Sequence, residues 1–228
     1  MNQAADNSAN PAQHNLSASQ LRFFHTFGYL LLPGRVRDGL DELCRAFDEV
    51  MADPDNGGTQ LDYADGDRLM VPAILERHPV LQALKSDARI TAIPDSLIGD
   101  NWDYAESSGD VMQCETTWHR DVYHSPLQQF HIKLLFYLDP LTADNGALRV
   151  LPGTHYYQDS YVKKVLSGQG FPDRMEDVFG IPADALPATP IETQPGDVIV
   201  LNFRTVHASF AGSEKRRLLN MNYREPTG

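Results

Sequence analysis

His119-Arg120-Asp121 stands directly after Trp118, at the end of a strand-like run. Side chains alternate along a β-strand, so an imidazole and a carboxylate two residues apart project from the same face. One nitrogen and one oxygen donor on one face can grip a divalent cation from one side. A histidine brought in from elsewhere would complete the two-histidine-one-carboxylate triad. That triad leaves three coordination positions open and suits the oxygen chemistry of non-haem Fe(II). His-x-Asp also arises by chance in many chains, and the rest of the sequence must decide between the two readings.

The third ligand has to come from the remaining histidines. His14 lies in a polar N-terminal tail, and His25 and His78 have no obvious partner of the right type. His124 and His131 lie near the motif, where a structural role is the plainer reading. His155 follows Pro152-Gly153-Thr154 and belongs to a turn. His207 lies just beyond the run Val198-Ile199-Val200-Leu201-Asn202-Phe203. A strand end holds a ligand more rigidly than a turn, which favours His207. Nine residues further on is Lys215-Arg216-Arg217. These three residues read either as a basic surface turn or as the source of one inward guanidinium that binds a carboxylate through two parallel hydrogen bonds. Ser209, on the same face as His207, can add a hydroxyl.

The elements that must position these groups follow from pattern. Ser17 and Gln20 form a capping box that opens a short helix through Leu21, Phe24 and Phe27, ended by Gly28. Tyr29–Leu32 reads as a buried strand. Apolar residues at 36, 40, 43, 47, 50 and 51 have a helical period. Asp53–Arg68 reads as a loop. Short helical segments are expected near Val80–Leu84 and Ile90–Leu97, with Pro94 starting or kinking the second. From Asn101 the character changes to short strands between turn signals: Val111–Trp118, Phe130–Leu138, Ala147–Leu151, Asp197–Phe203 and Leu218–Tyr223. Ser167–Pro190 has no clear period and reads as a long insertion of the kind that forms lids. Helices first and many strands later predict a mainly β fold with flanking helices, built on a sandwich or barrel core.

Composition narrows the class. The chain has 228 residues, 42% of them hydrophobic and 22% charged, which predicts one soluble globular domain from residue 16 after a disordered tail over 1–15. No apolar run is long enough to span a bilayer and no secretory signal is evident, so no membrane partner is expected. The two cysteines, Cys44 and Cys114, are far apart, which favours a reducing cytoplasm over a disulfide framework. A formal net charge of −12 argues against a nucleic-acid surface.

The motifs together resemble the phytanoyl-CoA dioxygenase-like family of Fe(II)/2-oxoglutarate-dependent oxygenases, over most of the chain from Leu16 to Glu225. Phe24-His25-Thr26-Phe27-Gly28-Tyr29-Leu30-Leu31-Leu32-Pro33-Gly34 is similar to the family's opening helix and strand, and Trp118-His119-Arg120-Asp121 to its metal motif. Tyr137-Leu138-Asp139, Asn145-Gly146-Ala147-Leu148 and Leu151-Pro152-Gly153-Thr154-His155 are similar to its central region. Pro195-Gly196-Asp197, His207 and Arg216-Arg217-Leu218 are similar to its C-terminal portion.

The resemblance implies a double-stranded β-helix (jelly-roll) core, with Fe(II) held by His119, Asp121 and His207 and with 2-oxoglutarate and O2 as cosubstrates. It implies that Arg216, two residues before the apolar start of the last strand, pairs with the distal carboxylate of 2-oxoglutarate with help from Ser209. Thr116, Tyr137 and Lys133 are further cofactor-binding candidates, and His155 becomes a turn residue. The implied reaction is hydroxylation of a small organic molecule coupled to decarboxylation of 2-oxoglutarate to succinate. Asp121 favours hydroxylation over halogenation, because halogenating relatives lack this carboxylate. The alternative is a non-catalytic jelly-roll binding protein with a vestigial metal site, but such a site would be expected to have lost one of these residues. Arg68 and Tyr123 are the candidate substrate contacts.

Overall fold

The capping box closes as expected. Ser17 Oγ accepts from the Gln20 amide at 3.2 Å while Gln20 Oε1 accepts from the Ser17 amide at 2.8 Å, and helix α1 (Ala18–Phe27) runs from there to a left-handed Gly28. The structure, a computed structural model, describes residues 14–63, 66–121, 129–157, 180–212 and 214–226. Strand β1 (Tyr29–Leu32) follows directly. Helix α2 (Leu40–Ala52) starts later than its periodicity predicts: the preceding residues form turns, in which the Gly34 amide donates to Asp197 Oδ1 at 2.7 Å and the Val36 amide to Gly196 O at 2.9 Å, and a left-handed Gly39 stands directly before the helix.

The expected loop at 53–68 is a correction. After a turn, β2 (Thr59–Tyr63) and β3 (Gly66–Pro72) form a hairpin whose second strand pairs with β4 (Asp103–Met112). The polar, Gly-rich composition reflects an edge position, where only one side of the hairpin is paired. Between β3 and β4 lie α3 (Pro79–Ala83) and α4 (Ala88–Leu97). Pro94 sits inside α4 and leaves it unbroken.

The single strand expected over 111–118 is two strands. Residues 113–115 carry the chain from β4 in one sheet to β5 (Thr116–His119) in the other. Then come β6 (His131–Tyr137), β7 (Leu148–Val150), β8 (Thr189–Ile191), β9 (Val198–Asn202), β10 (His207–Ser209) and β11 (Arg216–Arg224). Of the expected insertion, 180–190 carries a 3-10 turn at Ala183–Ala185 and the start of β8; 167–179 lies outside the described residues.

All pairings are antiparallel. The larger sheet has the order β1-β9-β6-β11-β4-β3-β2 and the smaller the order β5-β10-β7-β8. This is the jelly-roll arrangement, with helices on the outer face of the larger sheet. The two-residue period separates its faces. Ile132, Leu134 and Phe136 of β6, Val198 and Val200 of β9, and Leu219, Met221 and Tyr223 of β11 pack outward against Phe24, Phe47, Leu81 and Ile90. Leu135, Tyr137, Ile199, Leu201 and Leu218 point inward, toward Leu148, Val150 and Ile191 of the smaller sheet. β9 is buried throughout because both faces are covered, hence its unbroken apolar run. Among the described residues no helix is long and apolar enough to cross a membrane.

Gly109 lets the helical layer sit close on β4. A Cβ there would lie 2.1 Å from Ile74 Cδ1 and 3.0 Å from Phe47 Cε2, and both side chains are fully buried. Gly109→Ala is therefore expected to destabilise the protein by about 1–3 kcal/mol through overpacking, read as a lower midpoint in urea unfolding at unchanged slope. A midpoint equal to the wild type would show that the helices seat elsewhere.

Candidate metal centre

β10 lies between β5 and β7, and its antiparallel pairing with β5 puts His207 directly opposite His119. The two imidazole centroids are 4.2 Å apart. The next pair is Ser209 opposite Thr116, so four residues of β5 span three of β10, and the extra residue is a bulge. This irregularity lets both His119 and Thr116, three residues apart, face the interior. Trp118, Ala208 and Phe210 point the other way, into a separate apolar cluster with Val206 and Leu186.

Asp121 lies two residues beyond the end of β5, so strand geometry alone does not aim it. Arg120 does. Its guanidinium is buried on the far side, where Nη2 donates to the carbonyls of Thr154 at 2.6 Å and Tyr157 at 3.0 Å. The Asp121 amide donates to Phe203 O at 3.1 Å. With Arg120 anchored outward, His119 and Asp121 both turn inward. Pattern reading gave Arg120 no role; its signal was a charged residue between two candidate ligands at a position that alternation makes internal.

His119, Asp121 and His207 each offer one donor atom, and the three atoms lie within 4.8 Å of one another. His119 Nδ1 donates to Thr117 O at 2.6 Å and His207 Nδ1 to Thr205 O at 2.9 Å. Those carbonyls fix each proton on Nδ1 and leave Nε2 free as a lone-pair donor. Burial pushes the His207 imidazole down to about 3, with His119 adding to the effect, and burial also lowers His119. Burial acts to raise Asp121, but the Lys133 ammonium and the two histidines outweigh it and hold the carboxyl at about 2. Neutral imidazoles and an ionised carboxylate are the protonation states a metal requires. Asp121 Oδ2 is 3.9 Å from His207 Nε2 and is buried without a hydrogen-bond partner among the described residues. An orphaned oxygen beside two free nitrogens is costly unless a cation fills the space, so these residues fit a divalent metal.

A cavity of about 170 Å³ opens from this cluster into the interior, lined by Thr116, Lys133, Tyr137, Ser209, Asn220 and Arg68 among others. Behind Ser209 lies Arg216, on the inward face of β11 with Leu218 and Asn220. It is 1% exposed. Its Nη2 donates to Cys114 O at 2.6 Å and lies 3.4 Å from Ser209 Oγ, while Nε and Nη1 are buried without partners among the described residues. Thr116 Oγ1 and Ser209 Oγ are 3.0 Å apart. An incompletely paired buried guanidinium with two hydroxyls nearby fits a carboxylate. Arg217 points outward and is spent on Asp139 at 2.7 Å and Asp48 at 2.8 Å. Gly146 and Gly212 make room for Arg216: a Cβ at either would fall within 2.0 Å of its Nη1. Burial raises the Tyr137 hydroxyl to about 12, with Arg216 pulling the other way, so the phenol keeps its proton as a donor.

The remaining candidates are placed as follows. Lys133 points inward and its Nζ lies 2.5 Å from Asp121 Oδ1. Arg68 lines the cavity, held by the fully buried Asp110 at 2.7 Å. Asp110 in turn accepts from Ser108 and Asn220. Tyr123 and His124 lie outside the described residues. His131 stacks on Phe203, and His78 caps α3 through the Val80 amide. His155 is in a 3-10 turn, where Nε2 donates to His25 O at 3.0 Å, away from the cluster.

Comparison with known proteins gives the chain's family and its fold. The sequence profile of the family described as phytanoyl-CoA dioxygenase matches residues 24–218. A protein of Penicillium thymicola, the iron/alpha-ketoglutarate-dependent dioxygenase penM, is 31% identical over 143 residues; the match covers 55% of this chain but only 38% of the relative's length. The crystal structure of SnoK, a non-haem alpha-ketoglutarate-dependent carbocyclase from nogalamycin biosynthesis, superposes with a TM-score of 0.72 at 21% identity, covering 92% of this chain and 85% of that one. HygX from Streptomyces hygroscopicus, solved with nickel and 2-oxoglutarate, superposes with a TM-score of 0.68 at 20% identity, covering 93% and 88%. At these identities the structures share the fold.

Mn(II) offers a stable probe of the cluster. Added to metal-free protein at about a hundred times its dissociation constant, it should stabilise the fold by about 2.7 kcal/mol, seen as a rise in thermal midpoint. His207→Ala and Asp121→Ala should lose that rise, and His155→Ala should keep it. A His207→Ala protein stabilised as well as the wild type would remove His207 from the ligand set.

Proposed function

The chain belongs to the phytanoyl-CoA dioxygenase family, and on that premise we propose that it is an Fe(II)/2-oxoglutarate-dependent dioxygenase that hydroxylates a small organic molecule. The observation that carries the proposal is the coincidence of two unmet demands in one interior, on the facing walls of the two sheets. The His119, Asp121 and His207 cluster has an orphaned carboxylate oxygen, and Arg216 behind Ser209 has unpaired buried nitrogens. The first asks for a divalent cation and the second for a carboxylate. The relative from Penicillium thymicola bears the name of an enzyme with this cofactor pair.

In this reading His119, Asp121 and His207 hold Fe(II), and Arg216 and Ser209 bind the distal carboxylate of 2-oxoglutarate. Thr116 and the protonated Tyr137 line the same pocket and donate hydrogen bonds. Fe(II), 2-oxoglutarate and O2 together supply the oxidising power for an unactivated C–H bond. The net reaction consumes substrate, 2-oxoglutarate and O2 and yields hydroxylated product, succinate and CO2. The chain's own residues supply orientation and a pocket shielded from bulk water. Arg68 is proposed to contact the substrate from the β3 wall, and Tyr123 from the stretch after Asp121. The domain is taken to begin at residue 16. Cys44 and Cys114, neither of them in a disulfide, fit work in a reducing cytoplasm.

Reconstitution with Fe(II) and 2-oxoglutarate without air, followed by O2 and a substrate screen read as succinate, tests the proposal. With labelled O2, one atom should appear in succinate and the other in product; turnover that leaves 2-oxoglutarate intact would contradict it. Arg216→Ala should weaken 2-oxoglutarate binding roughly thirtyfold or more, since breaking a buried charged pair costs about 2–5 kcal/mol. Arg217→Ala should bind as the wild type does. Equal losses in both would take the role away from Arg216.

A further inference from the structure

Lys133 sits on the inward face of β6 with Leu135 and Tyr137, and all three line the metal-side cavity. Its ammonium lies 2.5 Å from Asp121 Oδ1, and the Phe203 ring lies 5.4 Å from its Nζ. Phe203 also fixes the Asp121 backbone, by accepting its amide at 3.1 Å. A cation beside a cation site calls for a reason. If Lys133 served only to neutralise Asp121, the metal would make it redundant, and its charge would oppose metal binding. What it adds is direction. One carboxylate oxygen is engaged by the lysine and the other, Oδ2, has no partner among the described residues and faces His207.

We infer that Lys133 is a positioning residue that restricts Asp121 to a single metal bond through Oδ2. Carboxylates bind metals through one oxygen or two. A two-oxygen Asp121 would fill one of the three positions that the triad otherwise leaves open, and 2-oxoglutarate as a chelate together with O2 needs all three. Lys133 thus keeps the third position available. The inference rests on the metal-centre reading above and concerns how that centre is kept open.

The test counts water molecules on Mn(II) bound to the full chain, by water-proton relaxation and by line broadening in oxygen-17 water. The wild type should carry three waters without 2-oxoglutarate and one with it. Lys133→Met should carry two and none, so that its inner-sphere relaxation enhancement falls by about a third without 2-oxoglutarate and disappears with it. Lys133→Leu, which also lacks a donor, should behave alike. In an Asp121→Asn background, where the side chain offers one oxygen, removing Lys133 should change nothing further. A lysine that merely supports the fold would weaken Mn(II) binding and leave the count alone. Equal counts in wild type and Lys133→Met, or a wild-type count of two, would overturn the inference while leaving the metal centre in place. Absence of saturable Mn(II) binding in the wild type would overturn both.

Discussion

The pairing of His119 with His207 across two short antiparallel strands is the constraint on which the site depends. Neither β5 nor β10 is long enough to hold a side chain rigidly alone. Their backbone ladder, extended by β7 and β8, fixes the distance between the two imidazoles. Everything nearby serves that pairing. The bulge in β5 turns Thr116 to the side of His119, the carbonyls of Thr117 and Thr205 orient the rings, and Arg120 reaches back to the 154–157 turn so that Asp121 swings in. The turn before β10 is tied to the opposite end of the chain through Thr205 Oγ1, which donates to Gly28 O at 2.8 Å.

The larger sheet makes the polar interior affordable in structural terms. Its outer face buries the aliphatic side chains against four helices, so the inner face is free to carry charge. Three inward cations, Lys133, Arg68 and Arg216, occupy different places there. Lys133 and Arg68 are each matched by a carboxylate, Asp121 and Asp110. Arg216 has only carbonyl and hydroxyl neighbours among the described residues. Leaving a buried guanidinium incompletely paired is destabilising, and such a cost is commonly found where a ligand completes the set.

Much of this was legible in the chain because it rests on local chemistry. The capping box at Ser17, the left-handed glycines at Gly28 and Gly196, and the alternating run of β6 each encode their own geometry. Alternation puts Lys133 on the same face as Tyr137, but only the packing of the two sheets shows that this face is the inward one. What escaped was set by tertiary pairing. The β2–β3 hairpin is polar because it lies at a sheet edge, and β10 has three residues, too few to show a period. The break between β4 and β5 hides in a run of strand-compatible residues. The choice between Arg216 and Arg217 depends on which face of β11 is inward, and no spacing rule alone reports that. Nothing in the chain announces that Lys133 meets Asp121, since the two lie twelve positions apart, one on β6 and the other past the end of β5 in the facing sheet.

The most direct measurement is an anomalous difference map at the iron edge from crystals grown without air in the presence of Fe(II) and 2-oxoglutarate. The account predicts one strong peak about 2.0–2.2 Å from His119 Nε2, His207 Nε2 and Asp121 Oδ2, with 2-oxoglutarate density running from it toward Arg216. A peak held by a different set of side chains, or iron with the Arg216 side of the cavity empty of 2-oxoglutarate, would contradict it.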